Sequence, residues 1–208
     1  MIPDPGYVTS HHVKREDKMD CSYLLENENM TMYECSKRSG IPYSTLSDII
    51  KGRTAVERVS SGHLNALAET LGLSMDELYS LMHVPERTSF ETFKSQVRHE
   101  VRRLGDSGFI SETAEEDKVR KYWRWEWYLE AFYLLATLDY LCRENNMKTL
   151  QEYDDLREYR LPEPVYPMDV NVAAKIDSKF DVRKSALKES IPEFRRFNIV
   201  EKDIRDVY

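Results

Sequence analysis

This 208-residue sequence predicts an all-α fold, and three observations carry the prediction. Apolar residues recur at helical spacing over most of the chain, as in Phe90, Phe93, Val97, Val101 and Leu104. Seven Gly and eight Pro are few, which favours helices joined by short connections. Helix start signals stand where the periodic stretches begin: Thr31 with Glu34 three residues on, and Ser74 ahead of Asp76 and Glu77. The length accommodates one large or two modest domains. Val84-Pro85-Glu-Arg-Thr-Ser89, polar and aperiodic after Pro85, is the candidate linker between two.

Residues 1–18 hold Pro3, Pro5, Gly6 and the charged run from Lys14 to Lys18, and read as a mobile leader. Met19 directly precedes the first convincing helix and is a candidate alternative start. That helix is predicted over about 20–29, with Tyr23 and Leu24 apolar. Two short helices follow, over about 32–39 and 43–51, joined by a tight turn at Gly40, which supplies the positive φ a sharp turn needs. Ile41 points inward from the turn, and Pro42 with Tyr43 opens the second helix, where Pro costs no hydrogen bond. Leu46, Ile49 and Ile50 form one apolar face, while Tyr43, Ser44, Ser47 and Asp48 lie on the other. An aliphatic inner side and an outer side of short hydrogen-bonding groups suit insertion into a DNA major groove. Gly52 ends this helix, a loop over 52–60 follows, and further helices are predicted near 61–72 and over 75–82.

The run Cys35-Ser-Lys-Arg-Ser-Gly-Ile-Pro-Tyr-Ser-Thr-Leu-Ser-Asp-Ile-Ile-Lys-Gly-Arg-Thr54 resembles the Cro/repressor-type (Xre-like) helix-turn-helix domain of phage repressors and bacterial regulators. The resemblance extends from about Asp20 to Met82. Cys35 and Ser36 stand where the family usually has Leu-Ala, Gly40-Ile41 matches its Gly-Val turn, and Leu46 its buried aliphatic. Lys51 to Thr54 is similar to its exit loop, and Leu64 to Tyr79 looks like its fourth and fifth helices. Met32 departs from the pattern, because many members carry there a Gln that touches the DNA backbone. The resemblance implies a five-helix lambda-repressor-like domain at 19–84 that binds double-stranded DNA with its second motif helix.

On that reading Tyr43, Ser44, Ser47 and Asp48 face base edges. Tyr43 offers ring contact to a thymine methyl and Ser44 a hydrogen bond to either base class. Asp48 accepts from a cytosine amino group or orients a Lys or Arg near phosphate. Lys51, Arg53 and Thr54 hold backbone phosphates and set register, with Thr45 between the two roles; Lys37 and Arg38 complete the phosphate set. A small helical domain that packs or binds protein without touching DNA stays open as the alternative.

Beyond the linker, residues 85–208 are expected to form an α-helical domain for dimerisation or partner binding. A helix from Phe90 is predicted to end at Gly105 and Gly108, followed by helices over about 111–122 and 125–146, the last being the most apolar of the chain. Tyr122-Trp-Arg-Trp-Glu-Trp-Tyr128 holds all three Trp; interleaved aromatics and Arg can stack on single-stranded bases, but Trp at this spacing near a helix start more often nucleates a core. Asp139, within an apolar helix, needs a partner. A charged helix is expected over 149–161, then an extended stretch imposed by Pro162, Pro164 and Pro167, helices near 169–178 and 182–190, and a tail ending in Ile204, Val207 and Tyr208. This half loosely resembles helical domains found behind Xre-like modules in mobile-element regulators.

Charge and chemistry narrow the function. The net charge is −7; residues 1–84 carry 8 Lys/Arg against 12 Asp/Glu, and the remainder 22 against 25. Neither half is basic, so DNA binding rests on a local patch of Lys37, Arg38, Lys51, Arg53 and Arg58, which favours a dimer. Cys21, Cys35 and Cys142 offer neither a disulfide framework nor a Cys-x-x-Cys site, and the five His are scattered, so no metal site is expected. No phosphate loop, nucleophile elbow or His-Glu-x-x-His pair occurs. The adjacent carboxylates Glu115-Glu116 and Asp154-Asp155 read as solvated, so no catalytic residue and no cofactor is assigned. The apolar run Leu129 to Leu141 contains Glu130 and Asp139 and is too short for a span that needs about 20 residues. The N-terminus has no secretory apolar region, so a cytoplasmic protein with no membrane partner is expected. The function read from all this is a sequence-specific regulator, an autoregulating repressor. Two alternatives stay open: an antitoxin that neutralises a toxin through residues 88–208, and a helical scaffold without DNA affinity.

Overall fold

A computed structural model describes residues 19–176 and 181–205, so the leader assigned to 1–18 and the last residues of the tail lie outside the described residues. Every regular element among the described residues is helical, with one isolated parallel bridge between Val165 and Ile199. The predicted all-α class is correct. The chain divides after Arg87 into two compact units.

The first unit contains α1 (Tyr23–Asn27), α2 (Met32–Ser39), α3 (Tyr43–Ile50), α4 (Ser61–Thr70) and α5 (Met75–Met82). α2 and α5 both start with complete capping boxes, Thr31 with Glu34 and Ser74 with Glu77, so two orphan amides are satisfied at each start. α2 packs on α3 and α4, and α4 on α5. The shared core comprises Leu24, Cys35, Ile41, Leu46, Ile49, Ile50, Leu67 and Leu78, all buried. Cys35 is wholly inaccessible, a small apolar side chain at the crossing of helices whose burial pushes its thiol pKa up.

The second unit is organised around α8 (Tyr128–Glu144), whose residues are buried on nearly every side. An apolar helix covered all round must sit at the centre of its unit. α6 (Phe90–Glu115), α7 (Lys118–Arg124) and α11 (Pro192–Arg196) pack against it. Phe132 stacks on Phe197, and Tyr133 meets Phe90, Phe93 and Phe194 edge-on. Each such buried ring stabilises the unit by about 1.5–3 kcal/mol relative to exposure. α9 (Met168–Ile176) and α10 (Val182–Glu189) pair beside this core around Val170, Ala186 and Val200.

Three local expectations are corrected. The helical backbone of α6 breaks at Gly105 as expected, at φ 69°, ψ 168°, but Gly108 does not extend the break: the next helical stretch begins directly after Gly105 rather than near 111, and Phe109, Ile110 and Thr113 are buried on it. The helix expected over 111–122 is instead broken at Asp117, which adopts φ 47° between α6 and α7. Residues 149–161 form two 3-10 turns, Gln151–Tyr153 and Leu156–Glu158, rather than one helix. The tighter winding aligns residues three apart, and Tyr153 and Leu156 are both buried.

The aromatic cluster packs rather than presenting a stacking platform. Trp123 meets Tyr128, Phe132 and Tyr159, and Trp127 lies against Tyr122 and Trp125 where Glu126, at φ 58°, turns the chain into α8. Asp139, 2% exposed, receives both Nη2 and Nε of Arg157 at 2.6 and 3.0 Å, with Arg196 at 3.6 Å. No described helix is long and apolar enough to cross a membrane.

Candidate nucleic-acid interface

The candidate surface is built on α2, the turn at Gly40 and α3. Thr31 fixes the start of α2: its hydroxyl accepts from the Glu34 amide at 3.2 Å, and the Glu34 carboxylate accepts from the Thr31 amide at 2.9 Å. The Thr31 amide, and the Thr31 hydroxyl that donates to the same carboxylate at 2.7 Å, hold the Glu34 pKa below the ordinary carboxylate value. Gly40 closes the helix at φ 71°, ψ 5°, a left-handed cap. Ser36 Oγ donates to the Ile41 carbonyl at 2.6 Å and Ser39 Oγ to the Cys35 carbonyl at 2.7 Å, tying the turn together. The turn thereby aims α3 without a long loop.

α3 has two unlike sides. Leu46, Ile49 and Ile50 anchor its inner side in the core. Tyr43 and Ser44 are exposed on its outer side, Tyr43 to 55%, with Thr45, Ser47 and Asp48 half-buried. The structure therefore brings Tyr43, Ser44, Ser47 and Asp48 onto one outward surface of one rigid helix. Thr45 sits at the edge of that surface.

The exit from α3 is held by the chain that precedes α1. The Cys21 amide donates to the Ile50 carbonyl at 2.7 Å. Gly52 takes φ 63°, and a Cβ there would collide with the Met19 backbone. The Thr54 amide donates to the Asp48 carbonyl at 3.0 Å, which folds the exit loop back over the end of the helix. Lys51 and Arg53 are exposed here, and each faces a carboxylate: Arg53 Nη1 lies 2.9 Å from Asp48 Oδ1, and Lys51 Nζ lies 3.8 Å from Asp20 Oδ2. Lys37 and Arg38 are exposed in the last turn of α2, just before the Gly40 turn, and Arg58 is exposed in the 3-10 turn Val56–Arg58.

Two members of this surface escape a reading of the sequence. Asp20 stands there only as the start of the first helix, and no spacing links it to Lys51; the pairing is tertiary. Tyr33 is 59% exposed on α2, with Lys37 Nζ 5.0 Å from its ring centre. Its signal is legible as an aromatic and a cation four residues apart on one helix. Among the described residues no group of three or more His, Cys, Asp or Glu is arranged to hold a metal ion.

An inner-anchored helix with a polar outer side, set on a capped helix by a glycine turn, defines a helix-turn-helix DNA-binding module. Residues 22–83 match the family model of the Cro/C1-type HTH DNA-binding domain. The match spans α1 to α5, so the first unit is similar to Cro/C1-type helix-turn-helix DNA-binding domains. No curated protein and no solved structure gives a significant match to the chain.

Proposed function

We propose that the chain is a sequence-specific transcriptional regulator, a repressor of its own operon acting in the cytoplasm. The observation that carries this is the outward surface of α3, where Tyr43, Ser44, Ser47 and Asp48 stand together on a helix anchored by Leu46, Ile49 and Ile50. Within it, Tyr43, Ser44 and Ser47 read base edges, and Asp48 reads a base through its second oxygen or orients Arg53. Lys51, Arg53 and Thr54 hold phosphates at the exit of α3, with Thr45 at the margin, and Lys37 and Arg38 hold phosphates at the end of α2. Residues 85–208 supply dimerisation.

A second function of that unit, capture of a toxin or other protein, is favoured by one feature. Met168, Val172 and Ile176 lie along α9 at spacings of four and are 70%, 48% and 81% exposed. An apolar stripe of this kind marks an interaction surface on a soluble domain. The test of the DNA reading is selection of bound duplexes from a random or genomic pool by the full chain, followed by gel shift on the region upstream of its own gene. Enrichment of a two-fold-symmetric sequence supports it; recovery of unenriched DNA together with capture of a partner by residues 88–208 overturns it.

A further inference from the structure

Both cations that leave α3 are engaged before any DNA arrives. Arg53 pairs with Asp48 at 2.9 Å and Lys51 with Asp20 at 3.8 Å, all four side chains being substantially exposed. Neither carboxylate is a loose neighbour. Asp48 sits in the last full turn of α3, and its carbonyl holds the Thr54 amide, so Arg53 is carried back toward it by the loop itself. Asp20 is fixed by the Ser22 amide, which donates to its Oδ1 at 2.8 Å, by the Cys21–Ile50 hydrogen bond beside it, and by the close approach of Met19 to Gly52. The side-chain-free residue at position 52 is what lets the acidic segment lie against the exit loop.

We infer that Asp20 and Asp48 act as built-in competitors of DNA phosphate for Lys51 and Arg53, holding down the affinity of each protomer for DNA of any sequence. The inference rests on the DNA-binding reading of α3. A phosphate reaching either cation must displace a carboxylate already in place, and it meets that carboxylate's own negative charge. Phosphate contacts carry no sequence information, so the penalty falls on every duplex and leaves base reading by Tyr43, Ser44 and Ser47 intact, with Asp48 acting here by orienting Arg53. The consequence is a chain that lets go of bulk DNA readily and is retained where two protomers bind together. The acidic balance of residues 1–84 acts in the same direction.

The test measures binding of the full chain to one arbitrary duplex of roughly 30 bp between about 50 and 200 mM salt, a range in which phosphate contacts dominate. Asp20→Asn and Asp48→Asn preserve shape. The side-chain amide introduced by Asp20→Asn retains an oxygen to accept from the Ser22 amide, so thermal melting serves as the folding control. Each substitution should tighten binding roughly 1.4- to fivefold, the range that exposed ion pairs span. The Asp48→Asn gain should disappear when Arg53→Ala is added. Unchanged or weaker binding by both Asn variants overturns the inference, and a gain that persists without Arg53 overturns the pairing in favour of a general charge effect. Failure of the DNA reading shows separately, as no enrichment from the random pool by the unaltered chain; the variants then gain nothing on the arbitrary duplex, which overturns the inference as well.

Discussion

At the scale of residues, the surface separates positions that read from positions that hold. Ser44 projects from the first turn of α3, whereas Arg53 lies beyond its end. Ser44→Ala should change preference at one base position in each half-site by roughly 1–3 kcal/mol, read by selection or by gel shift on single-base variants. Arg53→Ala should weaken binding to all duplexes alike and lower the salt slope by about one unit per protomer. Uniform loss from both would show that α3 does not read bases. Two glycines offer a second contrast. Gly40 and Gly52 both have positive φ, but nothing lies near a Cβ at Gly40, while one at Gly52 meets the Met19 backbone. Gly40→Ala should cost about 1–2 kcal/mol, the left-handed strain alone. Gly52→Ala should cost clearly more in the same urea titration, because Met19 and the Cys21–Ile50 hydrogen bond must shift.

At the scale of elements, α2 depends on its capping box. Thr31→Ala should destabilise the first unit by about 1 kcal/mol in denaturant melts. The same bonds lower the Glu34 pKa in the folded state from an unfolded value near 4.5, and the Ser74 box does the same for Glu77. A depressed carboxylate contributes stability that is present above the unfolded pKa and lost as pH falls through the folded one. The two caps should therefore hold fully above about pH 4.5 and weaken below it. Melting temperature measured from pH 6 to pH 3 should fall less steeply in Thr31→Ala than in the unaltered chain; parallel curves would show that the box does not couple to folding. The legibility of these elements has a local cause. Thr31, Glu34, Gly40 and Pro42 act on neighbours within four positions, so the sequence alone announces α2, the turn and α3. α6 is legible only in part: Gly105 breaks the helical backbone as the sequence suggests, but the immediate restart after it follows from the burial of Phe109, Ile110 and Thr113 in the core, which no local signal announces.

At the scale of the whole molecule, stability and assembly both turn on what each unit must bury. The Asp139–Arg157 pair lies inside the second unit, tying α8 to the 3-10 turns. Arg157→Ala leaves a carboxylate that is 2% exposed with only Arg196 at 3.6 Å and should cost up to about 3–5 kcal/mol. Arg157→Ala with Asp139→Leu should recover most of that loss, measured by thermal melting; no recovery would show that Arg157 acts mainly by filling space. Assembly depends on the reach of one α3. With a few pre-paired cations it offers a small contact, so stable binding calls for a two-fold dimer reading half-sites about 34 Å apart. Residues 85–208 are proposed to form it, and the stripe Met168, Val172 and Ile176 would serve either this dimer or the capture of another protein. Light scattering at micromolar concentration should give twice the chain mass, and Val172→Glu should return the monomer and weaken DNA binding while leaving melting unchanged. A monomer in the unaltered chain, with and without a selected duplex, overturns the dimer.

Read alone, the sequence specifies the helical class, the capped starts of α2 and α5, the glycine turn, the inner trio Leu46, Ile49 and Ile50, and the outer set on α3. Each of these is written in short-range periodicity and in backbone preferences that neighbouring residues satisfy or violate directly. Other features come from tertiary packing: Asp20 meets Lys51, Arg157 answers the Asp139 carboxylate, and the charged stretch after α8 winds as 3-10 turns. Charge pairing and the choice between helix types depend on which distant groups the core brings within a few ångströms, and no local pattern of residues encodes that proximity.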